Sequence, residues 1–223
     1  MIRTNVRDSS IDLLWVFGTM LPTIWLLRPV SMTYAGSVGL LIAMGIATWR
    51  LMARGQTWTD VGVARPESLQ KLANATVGVF VLALVLGTAA TVTLTALGFE
   101  QVPADVDSWE GLEGNLPYFL FRLVLAWGTS FSEEFIFRGL LISKLDEVFG
   151  GTTMSLILIV VFQACFFGYM HYATQGTFGA FSAGGRGLAM GIGYIAFKRN
   201  LWPLVIVHVA LNTIALTEIF LGE

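Results

Sequence analysis

Apolar residues in this chain come in long blocks, and that arrangement leaves few folds open. Hydrophobic stretches run at about 11–27, 30–49, 73–98, 117–141, 153–171, 186–197 and 202–221. Most approach the roughly 20 residues that a helix needs to cross the hydrocarbon core of a bilayer. The chain is 55% hydrophobic and only 13% charged, where a soluble domain carries about 25% charged residues. The expectation is an all-α fold, a polytopic transmembrane helix bundle of about seven or eight helices. Residues 1–223 would form a single integral membrane domain, with no length left for a separate soluble one.

The first block has the look of a signal peptide, because Arg3 and Arg7 precede its apolar core. No small-residue cleavage site follows it cleanly, and Arg28-Pro29 leads straight into the next block, so it is read as a retained helix. Arg50, Arg54, Arg65 and Lys71 cluster between the second and third blocks, whereas Glu100, Asp105, Asp107, Glu110 and Glu113 crowd the 99–116 loop. The positive-inside bias places the basic segment and the N-terminus in the cytoplasm, together with the turns at Lys144 and at Lys198-Arg199. The net charge of −2 comes with no basic patch, which argues against nucleic acid as a partner. The single cysteine, Cys165, is read as a small core residue. The glycine-rich stretch from Gly176 to Gly193 is read as close helix contact rather than a flexible loop.

Within these blocks sit groups that a membrane tolerates only at a cost. Glu133, Glu134 and Arg138 lie inside LPYFLFRLVLAWGTSFSEEFIFRGLL, and the only two histidines, His171 and His208, lie in two further apolar stretches. Ionisable residues at membrane depth are rare and mark functional sites. Adjacent helical residues point about 100° apart, so the two glutamates are not expected to share a face. Glu134 and Arg138 are four apart in the order that favours an ion pair, which leaves Glu133 unpaired and suited to act as a general base. His208 and Asn212 are also four apart and share a face, while Phe167, four residues before His171, is read as packing only. Straight-helix arithmetic brings Glu133, His171, His208 and Asn212 within about 10 Å of one depth.

These groups suit hydrolysis. A carboxylate takes a proton from water, a histidine orients that water, and a histidine–asparagine pair stabilises an oxyanion. Glu133, His171 and His208 would equally make a zinc site of the catalytic kind, although the HExxH spacing is absent. Metal-free and zinc-assisted chemistry both remain open on the residues alone. A non-catalytic role, in bacteriocin immunity or proton-coupled transport, is the competing class. Concentration of the polar groups near one depth favours a site over a pathway.

The segments EEFIFR (Glu133 to Arg138), FGYMH (Phe167 to His171) and HVALN (His208 to Asn212) resemble, in order, the three motifs of the CAAX-protease and bacteriocin-processing (CPBP, Abi) family. The stretch GLAMGIGYIAFKRNLWPLVIVHVALN resembles that family's last two helices. The resemblance covers residues 117–217 as a catalytic core, with 1–116 adding N-terminal transmembrane helices. It implies an intramembrane endopeptidase of a prokaryotic plasma membrane. Glu133 and His171 would act on water, His208 and Asn212 would form the oxyanion site, and Glu134 and Arg138 would support them. The implied partners are membrane lipid and a hydrophobic, lipidated or membrane-anchored peptide; the implied cofactor is a zinc ion or none. The site would be reached from the cytoplasmic half of the membrane.

Overall fold

The computed structural model describes residues 6–99 and 110–222. Its regular elements are helices: α1 (Val6–Leu27), α2 (Met32–Ala53), α3 (Leu69–Ala96), α4 (Leu116–Glu133), α5 (Ser143–Phe149), α6 (Thr153–Ala196) and α7 (Trp202–Leu221). A 3-10 turn at Trp58–Val61 precedes α3, and a π-helical segment, Glu134–Ile142, carries α4 into α5 without a break. Among the described residues, α1, α2, α3, α6 and α7 are long and apolar enough to cross a membrane. The expected seven or eight spans are therefore not matched one for one. Of the acidic loop, residues 100–109 lie outside the described residues, as does Arg3.

Helix starts follow local chemistry. Ser31, Ser68, Asn115 and Thr152 each stand just before an apolar block and accept a backbone N–H from three residues on. Such side chains satisfy donors that the first turn leaves without partners. Along α3 the buried positions Ala75, Val79, Ala83 and Gly87 recur every four residues, while Val77, Val81, Leu84, Val85 and Val92 are exposed. The inner stripe is small and the outer face bulky, the pattern of a helix that packs closely on a neighbour and turns its large side chains to lipid. That neighbour is α6, against which α3 packs most extensively. Cys165, expected in the core, is exposed; a small apolar side chain carries no penalty against lipid, so its apolar setting gave no sign of its direction.

The largest departure from expectation is α6. Two expected spans, 153–171 and 186–197, are one helical run interrupted only at Gly176, with φ 62° and ψ −163°. That backbone region is essentially restricted to glycine. The two arms fold back on each other. A Cβ built on Gly168 would stand 3.1 Å from Gly184 Cα, one on Gly187 3.5 Å from Ala164 Cα, and one on Gly191 2.9 Å from Val160 Cγ1. Residue numbers fall along one arm as they rise along the other, so the arms are antiparallel. The glycines between 176 and 193 are thus contact residues, as expected.

Because the atoms facing Gly168 are backbone, they cannot swing aside. Gly168→Ala is expected to cost about 1–3 kcal/mol, read as a lower melting temperature in detergent. Gly45→Ala, where nothing stands within 4 Å, is the control. A Gly168→Ala protein that melts with the wild type would contradict the hairpin.

One end of the bundle is held by charge. Buried Asp12 on α1 accepts from Arg50 Nε at 2.9 Å and Arg54 Nε at 3.0 Å. Lys144, expected at a turn, lies in α5, is buried, and donates to Gln56 Oε1 at 3.0 Å and Glu147 Oε2 at 3.2 Å. The reason is that α5 continues the α4 helix inward against α1, with which it packs. At the same end, Lys198 and Lys71 both donate to Glu67 and hold its carboxyl down at about 2.

Candidate active site

The α4–π segment presents Ser130, Glu133 and Glu134 toward α7 and Arg138 toward α6. Contacts set the register of the two helices: Phe119 meets Phe220 with ring centroids 4.7 Å apart, and Trp127 Nε1 donates to Thr213 Oγ1 at 3.0 Å. Asn212 Nδ2 donates to Ser130 Oγ at 2.9 Å. The numbers run in opposite senses, so α4 and α7 are antiparallel, and His208 arrives beside the glutamates.

The expected pair forms: Arg138 Nη1 donates to Glu134 Oε1 at 3.0 Å, with both side chains fully buried. Arg138 Nη2 also reaches Gly187 O at 3.4 Å, and its guanidinium lies 4.2 Å from the Phe167 ring centroid. The expected division of labour between the glutamates needs correction. His208 Nδ1 lies 2.7 Å from Glu134 Oε1, and His208 Nε2 lies 3.5 Å from Glu133 Oε2. Glu133 is not alone, and Glu134 serves His208 as well as Arg138. Two carboxylates that leave one helix in different directions meet here because a single imidazole offers a nitrogen on each side.

Asn212 lies one turn beyond His208, as its spacing predicts. Its amide turns to Ser130, however, so one N–H is engaged within the protein. Ser130 was missed by the sequence reading. Its signal was present, since it precedes Glu134 by four residues and therefore shares its face. Phe167 does more than pack. Its carbonyl accepts from His171 Nδ1 at 2.8 Å, and its ring lies 4.6 Å from the His171 ring by centroids. A carbonyl can only accept, so Nδ1 carries the hydrogen and, in the neutral ring, Nε2 is left as the acceptor.

Glu133, Glu134, His171, His208 and Asn212 all line one cavity of about 620 Å³. Among known ligand sites this is a middling size. The cavity extends past Arg122 to Arg28 and Met32, where α1 gives way to α2, and to Glu218 near the end of α7. Lys144, Lys198 and Arg199 are at the other end of the bundle. The lining thus reaches toward the end of the bundle opposite these turns, where α1, α2 and α7 meet.

Glu133, His171 and His208 were the expected zinc set. Among the described residues no group of three or more His, Cys, Asp or Glu side chains stands ready to hold a metal ion. His171 and His208 each engage Nδ1 within the protein, with Phe167 O and Glu134 Oε1, which is also how histidines that bind a metal through Nε2 are held.

Comparison with curated proteins and with solved structures finds no match. Residues 114–214 match the family model described as Type II CAAX prenyl endopeptidase Rce1-like. That stretch contains all three motifs and the side chains that converge on His208. Over residues 114–214 the chain is thus similar to the Rce1-like type II CAAX prenyl endopeptidases, in agreement with the resemblance carried by its three motifs.

Proposed function

We propose that this protein is an intramembrane endopeptidase that hydrolyses a peptide bond near a hydrophobic, lipidated or membrane-anchored segment of its substrate. The observation that carries this reading is the meeting of Glu133, His171, His208 and Asn212 on one cavity inside an apolar bundle. The family match supports the same class of activity.

In this mechanism Glu133 takes a proton from a water held against His171 Nε2, and the hydroxide adds to the scissile carbonyl. The charge that develops on the carbonyl oxygen is met by the Asn212 amide hydrogen that Ser130 does not use, and by His208. Glu133 then passes its proton to the leaving nitrogen, so the peptide bond breaks with atoms and charge balanced. With a hydrogen on each nitrogen, His208 keeps Nδ1 on Glu134 Oε1 and offers Nε2 to the oxyanion.

The test is cleavage of a hydrophobic peptide by the purified protein in detergent, with His208→Ala and His171→Ala beside it. Both variants are expected to lose roughly 10²-fold or more in kcat. Undiminished turnover in both would sink the mechanism. Loss on chelation, restored by zinc, would assign a metal to these residues instead.

We further propose that α4 to α5 forms one membrane pass and α6 forms two, so that the chain crosses seven times with the N-terminus and the basic turns cytoplasmic. The cavity then faces the outer half of the bilayer. Cysteine placed at exposed Lys198 (Lys198→Cys) is expected to resist a membrane-impermeant thiol reagent in intact cells; labelling from outside would invert the topology.

A further inference from the structure

Between the arms of α6, behind the buried ion pair, sits a polar side chain that has no role in the hydrolytic step. Gln163, on the first arm, is fully buried. Neither its Oε1 nor its Nε2 has a hydrogen-bond partner among the described residues, and it does not line the cavity. An amide held away from water without partners is costly, the more so inside a membrane bundle.

Contacts on both arms place its head group beside Arg138. Phe167, whose ring lies 4.2 Å from the Arg138 guanidinium, is four residues beyond Gln163 and on the same face of the first arm. On the second arm Gly187 and Gly191 likewise share a face. A Cβ on Gly187 would stand 3.4 Å from Arg138 Nη2, and one on Gly191 3.0 Å from Gln163 Oε1. The guanidinium and the carboxamide thus lie against positions one turn, or about 6 Å, apart on one helix. Arg138 has an unmet donor of its own. Nη1 is taken by Glu134 Oε1 and Nη2 reaches only Gly187 O, at 3.4 Å, while Nε has no partner among the described residues.

Two hydrogen bonds of about 2.8 Å let one water span such a separation, and buried waters are held where two or more polar atoms converge. We propose that ordered water is bound between Gln163 and Arg138, accepting from Arg138 Nε and donating to Gln163 Oε1. Through this water Gln163 is a positioning residue. The contacts run on from Arg138 Nη1 to Glu134 Oε1, and from Glu134 Oε1 to His208 Nδ1. Gln163 therefore fixes the pose of the guanidinium, and with it the carboxylate on which His208 is aligned. The bound water does not depend on the peptidase reading; its effect on turnover rests on that reading.

The test is a cycle of the wild type, Gln163→Met, Arg138→Met and the double variant, melted in one detergent. Methionine keeps the length of glutamine and removes both polar atoms. Gln163→Met is expected to lower the melting temperature by roughly 4 °C or more, and by much less where Arg138 is already methionine. A dry, unsatisfied amide would give the opposite sign, a higher melting temperature in both backgrounds, and that result overturns the proposal. Equal losses in the two backgrounds also overturn it. In peptide cleavage, Gln163→Met is expected to lower kcat by roughly 10-fold, with KM little changed because Gln163 does not line the cavity. Gln163→Asn, which keeps the carboxamide one methylene further back, should recover part of that kcat; a packing role would be served better by methionine. Unchanged kcat in Gln163→Met removes the positioning role. If Gln163→Met does not fold, a map of the wild type that resolves waters decides: density between Gln163 and Arg138 supports the site, and none there overturns it. If the native protein cuts no peptide, the peptidase reading falls, and the melts still decide the water.

Discussion

Glu133→Gln is expected to lower kcat for peptide cleavage by about 10²- to 10⁴-fold, the range that a positioned acid–base group contributes, with little change in melting temperature. Glutamine keeps the shape of the side chain and its contact with His208, but it takes no proton from water. Its side chain is 17% exposed, and neither of its oxygens is among the buried atoms left without a partner. Little folding free energy therefore depends on its charge. KM is expected to change less than kcat, since the proton moves only in the transition state. Full turnover by Glu133→Gln would remove Glu133 as the base and revive the non-catalytic reading of the cluster.

The largest stability effect is expected one turn further on. Arg138→Met should destabilise the protein by about 3–5 kcal/mol, the usual cost of leaving one partner of a buried ion pair without the other. Arg138 is the largest fully buried side chain among the described residues. It gives Glu134 its 3.0 Å partner, Gly187 O its donor and the Phe167 ring its cation. Without it, Glu134 keeps only His208 among the described residues, where its Oε2 already lacks a partner. Glu134→Gln together with Arg138→Met should recover part of the loss, because the uncompensated charge goes with the second change. Thermal melts of the four proteins of this cycle in one detergent give the coupling. Strictly additive losses would mean that the two side chains do not act as a pair.

These two expectations separate roles that are adjacent in the chain. Glu133 lines the cavity and is partly exposed, and in the proposed mechanism its charge is spent on chemistry. Glu134 is fully buried and its charge is spent on holding Arg138 and His208. Substitution at 133 should therefore read out in turnover, and substitution at 134 in both turnover and stability.

Much of the site was legible because short-range geometry carries it. Glu134 and Arg138, four apart, meet on one helix wherever that helix packs. Ser31, Ser68, Asn115 and Thr152 mark helix starts because capping acts over three residues. The glycines from 176 to 193 announced close contact because a membrane helix has few other uses for a small-residue run. Cys165 was misread because burial depends on which face a neighbour covers. Nothing within one helix tells lipid from protein when both are apolar. The 44-residue α6 was misread as two spans because its break is a single residue, Gly176, too short to interrupt a hydropathy window.

By itself, then, the sequence determined that this is a helical membrane chain, that its rare charges sit in the bundle, and that three motifs carry them. Each of these follows from transfer free energy or from spacing along one helix, both local properties. Only the tertiary structure decided that His208 bridges both glutamates, that Asn212 turns to Ser130, and that the cavity lining runs from these groups to Arg28 and Glu218. Those are distances between atoms on different helices. They depend on the register of α4 against α7 and of the two arms of α6, which side-chain fit at Gly168, Gly184 and Gly187 sets and no periodicity records.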